Sequence, residues 1–377
     1  MTTVAAAPRI LVACSPGELR VAAVQDGALL DYALWRPGVP DGMGDLYRGR
    51  VTARVPAMAG AFVALPGAEG FLPDSEGTDA VSDGMAVAVR VTRSAQGGKG
   101  PRLTSRVSDA DRALAGAGPP ALLARGPGAV ERMAALHPAA KVLVDDHGTA
   151  AVLRPLLGER LAVGAVLDDA LAGWIDALAD NSVALPGGMR ASIYPTPALV
   201  AIDVDAGGAS ADRRPKRTAQ MAANRAMLPA LARQIRLRNL SGAIVVDVAG
   251  LALRHRGALA PDFAAALATD PLRPRFLGFS ALGLAEIMRP RAHPPLHELL
   301  AGPHAAGLAA LRTVMQAAAA EPAATFSLRA APDVATALAE DPAALPDLAR
   351  RTGRTLMVTS DPALPPGSTA VERTARA

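Results

Sequence analysis

Ala198-Leu-Val-Ala-Ile-Asp203-Val-Asp205 and Gly242-Ala-Ile-Val-Val-Asp247-Val decide the fold of this chain. Each is a run of four or five apolar residues, rich in Val and Ile, that ends on an aspartate. Such a run reads as a strand buried on both faces. A carboxylate buried at the end of a strand is costly unless it is paired, hydrogen-bonded or bound to a metal. Between the two runs, about Thr218 to Leu240 carries Met221, Leu228, Leu231, Ile235 and Leu237 at helical spacing, with Pro229 as an expected kink. One helix joining two strands brings Asp203 and Asp247 to the same sheet edge. Hard oxygen ligands in that arrangement suit Mg²⁺, which takes one or two carboxylates and fills its shell with water and phosphate oxygens.

The bulk of the sequence narrows the options. Its 377 residues leave room for two or three domains. Half the residues are hydrophobic but only 3% are aromatic, and 35 Gly and 32 Pro accompany an alanine-rich background. No apolar run reaches the roughly 18 residues of a spanning helix; Arg312, Gln316 and Glu321 interrupt the closest candidate, 305–325. Met1 to Ala7 lacks the basic start of a signal peptide, so the expectation is a cytoplasmic chain away from membranes. The single cysteine, Cys14, excludes a disulfide framework and a thiolate-only zinc site. It falls in a predicted strand without a nearby His, which reads as core rather than nucleophile. The six His show no metal-ligand spacing. Net charge is +4, and the cations cluster: Arg213, Arg214, Lys216 and Arg217 follow Asp203, Arg233, Arg236 and Arg238 lie along the helix, and Arg289 and Arg291 come later. Cations bracketing carboxylates favour phosphate contact, against the plainer reading of a solvated face.

Along the chain, 9–35 reads as a meander turning at Asp26-Gly27. Five short strands follow, Leu46–Val55, Gly60–Leu65, Gly70–Leu72, Ala86–Val91 and Arg102–Val107, which suggest a small barrel of OB type. Tyr47, Phe62 and Phe71 lie within it, with Arg48, Arg50, Arg93 and Lys99. Rings on such a barrel either fill it or stack unpaired bases while cations follow the backbone. Strands are expected at 141–145, 192–194, 199–204 and 276–280, and helices at 149–157, 168–180 and 251–268, the last broken near Gly257. Past Glu321-Pro322 a strand–helix–helix–strand tail is expected.

Several motifs together resemble the ribonuclease E/G family. Asp45-Leu-Tyr47-Arg-Gly-Arg-Val, Ala61-Phe62-Val, Gly70-Phe71-Leu-Pro and Gly98-Lys99-Gly-Pro-Arg-Leu-Thr104 resemble its S1-like OB domain. Leu185-Pro-Gly-Gly, Ala201-Ile-Asp203-Val, Ala232-Arg-Gln-Ile-Arg-Leu-Arg238-Asn-Leu-Ser-Gly242 and Ile244-Val-Val-Asp247 are similar to its catalytic core, and Ser280-Ala-Leu-Gly-Leu-Ala-Glu286-Ile-Met-Arg289-Pro-Arg291 to the segment closing it. The resemblance implies an α+β multi-domain chain. Residues 1–43 and 119–183 would form an RNase H-like subdomain, 44–108 an inserted S1-like OB barrel, and 184–300 a DNase I-like catalytic subdomain. Residues 301–308 would be a degenerate zinc-link and 309–377 a small α/β C-terminal domain. It further implies a Mg²⁺-dependent endoribonuclease acting on single-stranded RNA. Asp203 and Asp247 would hold the metal, with Asp205 beside them, and Phe62, Phe71, Arg93, Lys99, Arg289 and Arg291 would contact RNA.

Four departures qualify that expectation. Asp203-Val-Asp205-Ala206-Gly207-Gly208 stands where the family carries Asp-Val-Asn-Ser-Gly-Arg. It adds a carboxylate that raises a neighbouring pKa and removes a hydroxyl donor and a cation. From Ser108 the chain passes almost directly to Pro119, where the family inserts the subdomain that recognises a 5′-monophosphate, so no sensing of the RNA 5′ end is expected. Gly302-Pro303-His304-Ala305-Ala306-Gly307 has neither zinc-link cysteine, so no zinc-bridged assembly is expected, and His304 reads as a turn residue. Tyr194-Pro-Thr-Pro197 replaces a frequently acidic position. A homodimer through the C-terminal domain or the catalytic subdomain stays open. The alternatives are an RNA-binding relative that has lost cleavage, and an α/β metabolic enzyme using the two aspartates and Mg²⁺ on a phosphorylated small molecule.

Overall fold

Alternating and continuous apolar runs build four sheets in turn. The computed structural model describes residues 7–78, 81–166, 169–206 and 216–374. Strands β1 (Arg9–Ser15), β2 (Glu18–Gln25) and β3 (Ala28–Trp35) form the expected meander, with Asp26 and Gly27 both at positive φ in its turn. The barrel follows: β4 (Leu46–Val55), β5 (Gly60–Leu65), β6 (Ala68–Pro73), β7 (Ala86–Arg93) and β8 (Arg102–Thr104) pair in the order β5-β6-β8-β7-β4, and a β4–β5 pairing closes it. The last barrel strand stops at Thr104 rather than Val107. Helix α1 (Asp109–Ala115) is capped by Ser108, whose side chain accepts from the Asp111 amide. An unforeseen strand, β9 (Ala121–Ala124), then pairs along β4 on the outside of the barrel.

Helix α2 (Ala129–Leu136) leads back to the first sheet, which gains β10 (Lys141–Val144) and, after α3 (His147–Leu157), β11 (Leu161–Val163). Helix α4 (Asp169–Ala177) precedes the second large sheet. Its strands β12 (Ser182–Leu185), β13 (Met189–Pro195) and β14 (Val200–Ala206) are antiparallel, and β14 and β15 (Gly242–Asp247) are parallel. A parallel pair needs a crossover, and α5 (Lys216–Leu237) supplies it, with Pro229 inside the helix rather than ending it. Helices α6 (Leu253–Arg256) and α7 (Ala260–Leu267) follow, joined by a 3-10 turn at Gly257–Leu259. Antiparallel strands β16 (Arg275–Phe279) and β17 (Ala285–Arg289) complete the sheet.

The strands carrying the aspartates are covered on one face only, which corrects the expectation of two buried faces. Val200, Ile202, Val204, Ile244 and Val246 pack against Leu228, Leu231 and Ile235 of α5 and Phe263 of α7. Ala201, Asp203, Val245 and Asp247 alternate to the other, more open face. Helices on a single side leave the second side free, so period two reasserts itself in strands whose composition looked continuous.

Helix α8 (Leu296–Leu300) and the long α9 (Gly302–Ala320) lead to the C-terminal domain. His304 therefore sits in a helix rather than a turn, with Nε2 2.9 Å from Asp341 Oδ2. The domain holds β18 (Thr325–Ala330), α10 (Pro332–Glu340), α11 (Ala344–Thr352) and β19 (Met357–Ser360) as expected, plus β20 (Thr369–Thr374), which pairs with β18. It docks on the body through buried charge. Glu18 is 3% exposed and accepts from Arg36 at 3.3 Å and from Arg312 of α9 at 2.8 Å.

Two more polar ties fix the second sheet. Arg289, 3% exposed, donates through Nε to Asp270 at 2.7 Å and through Nη1 to Asn239 Oδ1 at 2.7 Å. His293 Nδ1 lies 2.6 Å from Asp41 Oδ2, joining the segment after β17 to the one before the barrel. Breaking a buried pair from one side leaves an uncompensated charge, so Arg289→Ala is expected to lose about 3–5 kcal/mol, read by chemical denaturation. Burial alone would raise the Asp41 pKa, but the hydrogen bond and charge of His293, with Arg132, hold it below the ordinary range. Its contribution is thus complete above the unfolded aspartate pKa and is lost as pH falls through the lower folded value. Asp41→Asn should flatten the acid side of a Tm-against-pH curve.

Candidate active site and nucleic-acid surface

Asp203 and Asp247 are direct register partners across the parallel strands β14 and β15, one strand spacing or about 4.8 Å apart at the backbone. Both lie on the open face, at the C-terminal edge of the pair. Asp205, two residues further on, shares that face and pairs in register with Arg190. Residual desolvation and then the negative charges of Asp205 and Asp247 push the Asp203 carboxyl above its usual range. Like charges crowded in this way ask for a cation. Gly207, Gly208, Arg213 and Arg214 lie outside the described residues, and so does the Lys216 side chain.

One cation at the pair was not foreseen. Arg256 Nη1 donates to Asp247 Oδ1 at 2.7 Å and to the Gly283 carbonyl at 2.9 Å, while Nε donates to the Leu251 carbonyl at 3.0 Å. The guanidinium is largely buried and held from three sides. Its signal in the sequence is Leu253-Arg-His-Arg256, a basic cluster nine residues after Asp247. Among the described residues no group of three or more His, Cys, Asp or Glu converges as a metal cage. The donor set is therefore a pair of carboxylates with a third nearby, which fits an ion that keeps most of its water, as Mg²⁺ does.

The other candidates separate into surface and core. Phe62 and Phe71 face each other across β5 and β6, with ring centroids 5.5 Å apart in an edge-on arrangement, and both are half-buried outside the barrel core. Tyr47 packs against that core instead, with its hydroxyl 3.1 Å from Asp45. Lys99 is exposed in the 96–99 turn, and Arg291 is exposed beside Gly242, where a Cβ would meet its guanidinium at 2.5 Å. Arg93 is half-buried; burial first, then the charges of Arg102 and Arg291, lower its pKa. Arg289 is withdrawn from the surface set: it is buried with Nε on Asp270 and Nη1 on Asn239, so its role is structural. Burial pushes the Cys14 thiol up to about 12, with the Asp145 charge adding to it, so it is no nucleophile.

One comparison with known proteins falls on this same region. The model of the ribonuclease E/G family matches residues 169–292, which hold both aspartates and Arg256. Ribonuclease E of Nostoc sp. (strain PCC 7120) is 32% identical over 159 residues, covering 42% of this chain and 21% of the relative. Ribonuclease E of Synechocystis sp. (strain PCC 6803) is 31% identical over 163 residues, or 43% and 22%. Ribonuclease G of Escherichia coli (strain K12) is 32% identical over 122 residues, or 32% and 25%. The chain thus spans between a fifth and a quarter of these relatives' lengths. The similarity to the ribonuclease E/G family thus lies in the segment that builds the carboxylate pair.

Proposed function

We propose that this protein is an endoribonuclease that cuts single-stranded RNA at the Asp203–Asp247 pair, with Mg²⁺ as its metal, in RNA processing or decay. The observation that carries this reading is the direct pairing of the two aspartates on the open face of the second sheet. The relatives are ribonucleases by name, which supports the same chemistry. In fold terms the first sheet is read as RNase H-like, the barrel as S1-like and the second sheet as DNase I-like.

Asp203 and Asp247 would hold the ion, each through a carboxylate oxygen. Bound there, Mg²⁺ supplies an activated water and neutralises charge on the phosphodiester. Arg256 fixes the Asp247 carboxylate in place and sets a positive charge beside the scissile group. Asp205 acts in the opposite sense, strengthening the hold on a cation while repelling the phosphate. The open face suits a polymer better than a small metabolite. Among the described residues, three cavities of 510, 520 and 580 Å³ are lined by neither aspartate, whereas small-molecule sites are concave and bury most of the ligand.

The runner-up, an RNA-binding relative without cleavage, draws support from the Arg256–Asp247 ion pair, since that guanidinium neutralises a metal ligand. Cleavage of an internally labelled A/U-rich RNA, with and without Mg²⁺, separates the two. Asp203→Asn and Asp247→Asn should each lower the metal-dependent rate by at least about 100-fold, the scale of losing several kcal/mol of charge stabilisation, while gel-shift binding persists. Tight binding by wild type without any cutting would decide for the relative.

No sensing of the RNA 5′ end is proposed, because the Ser108–Pro119 connection consists of α1 and a short turn. Rates on 5′-monophosphorylated and 5′-hydroxyl forms of one RNA should agree within about twofold; a clear preference for the monophosphate would sink this reading. Nor is a zinc-bridged assembly proposed: the stretch at 302–307 carries no thiolate, and its His304 is engaged by Asp341.

A further inference from the structure

The open face of the second sheet changes character along its strands. At the edge that carries the carboxylates, Arg190, Ser192, Asp203, Asp205 and Asp247 stand outward. One row back, the outward positions are Tyr194, Ala201 and Val245, register partners in turn across β13, β14 and β15. Ala243 and Met288 pair in the row beyond. Glu286, the partner of Val245 on β17, is the acid of this stretch. A sheet face left to solvent ordinarily carries polar side chains, yet Tyr194 is 53% exposed and Met288 39%. Apolar surface left open in this way marks a place where something binds.

Sheet packing does not account for Tyr194. Its register partner is an alanine, so the ring gains little across the strands, and among the described residues it meets no other aromatic ring. Its backbone is nevertheless held firmly. Pro195 and Pro197 flank Thr196, whose amide donates to the Leu199 carbonyl at 2.9 Å and whose hydroxyl accepts from the Leu199 amide at 3.2 Å. A ring carried on such a turn, above small neighbours, is a preorganised flat surface. Because Ser192 is the partner of Asp203, Tyr194 is a diagonal neighbour of that aspartate. The Cα atoms of such neighbours lie about 7–8 Å apart, a span that an aromatic side chain covers. The turn itself points to the barrel, whose 96–99 turn shares a cleft of 580 Å³ with Pro195, Thr196 and Pro197. There the barrel docks on the body through the Ser94 amide, which donates to the Ala292 carbonyl at 2.8 Å, and the Gly97 amide, which donates to Glu298 Oε2 at 3.1 Å.

We infer that Tyr194 is a substrate-binding residue of the second sheet: its ring, with Ala201 and Val245 as a floor, stacks the unpaired nucleobase next to the phosphodiester at the carboxylate pair. The inference rests on the RNA reading above and deepens it, by assigning a nucleotide subsite beside the metal ligands. The two-part character of the face decides the ligand. Its charged edge suits a cation and a phosphate, and the row behind it suits a flat apolar body attached a short distance away. A nucleotide has both parts. Every base offers a π-face, so the subsite is tolerant of sequence. It takes a base from a single strand and not from a helix, where both faces of the base are already stacked.

The test is photocrosslinking of a short single-stranded RNA carrying 5-iodouridine to the full chain without Mg²⁺, with the crosslinked residue identified by mass spectrometry. Affinity for the same RNA is measured for wild type, Tyr194→Ala and Tyr194→Phe. A crosslink at Tyr194 is expected, with binding about tenfold weaker in Tyr194→Ala and restored in Tyr194→Phe, which keeps the ring. Tyr194 is exposed, so the alanine variant should fold, and the wild-type crosslink reads the subsite even if it does not. Crosslinks confined to other residues, with affinity unchanged in Tyr194→Ala, would overturn the inference. A change of oligomeric state in Tyr194→Ala with RNA affinity unchanged would also overturn it, giving this face to a second copy of the chain. Because no cleavage is read, a crosslink at Tyr194 in a protein that never cuts RNA upholds the subsite and sinks the nuclease. Failure of both readouts in a protein that does cut RNA has the reverse meaning.

Discussion

The parallel pairing of β14 with β15 is the constraint from which the site follows. Parallel neighbours cannot be joined by a hairpin, so the chain must travel the length of the sheet and return. It does so as α5, whose apolar residues Leu228, Leu231 and Ile235 find their burial against one face of the strands. That choice leaves the opposite face open. Parallel register then places equivalent positions side by side, and Asp203 meets Asp247 on the uncovered side, at the same edge. The proximity of two like charges is thus a by-product of topology, and the guanidinium of Arg256 meets one of them.

Charge also organises the rest of the molecule. Glu18 with Arg36 and Arg312, Asp270 with Arg289, and Asp146 with Arg350 and Arg351 each join segments far apart in sequence. Buried pairs of this kind add little net stability over apolar replacements, because desolvation offsets their attraction. Their geometry is directional, however, and a directional bond fixes how one sheet sits on another. With so few aromatic side chains available, arginine forks join the parts alongside an aliphatic seam where Leu11, Leu34 and Val166 cluster with Leu237 and Leu296.

Much of this was legible in the sequence, and the failures are physical. Short-range signals held up: Asp26-Gly27 turns the first hairpin, the barrel strands 46–55 and 60–65 match to the residue, and the Val/Ile runs before Asp203 and Asp247 are adjacent strands. Strand β9 has no clear signal in the sequence, because Ala121–Ala124 is short and half-buried and only its partner β4 gives it a reason to extend. The composition of β14 suggests two buried faces but its burial alternates, because composition reports apolar content and not the number of layers. Arg289 and Arg291 look alike in the sequence, two residues apart. Only the fold reveals that Asp270 claims the first and leaves the second exposed. The basic cluster at 253–256 does not by itself point to Asp247; only the fold brings Arg256 there, where the Leu251 and Gly283 carbonyls hold its guanidinium.

The barrel is docked at the end of the second sheet where β15 begins, while the carboxylates stand where it finishes. A ligand that engages both must be a chain with a direction and a minimum length, laid along the strands like a thread against a ruler. On the RNA reading proposed above, the distance between the two ends of one sheet would by itself favour an extended strand over a folded one.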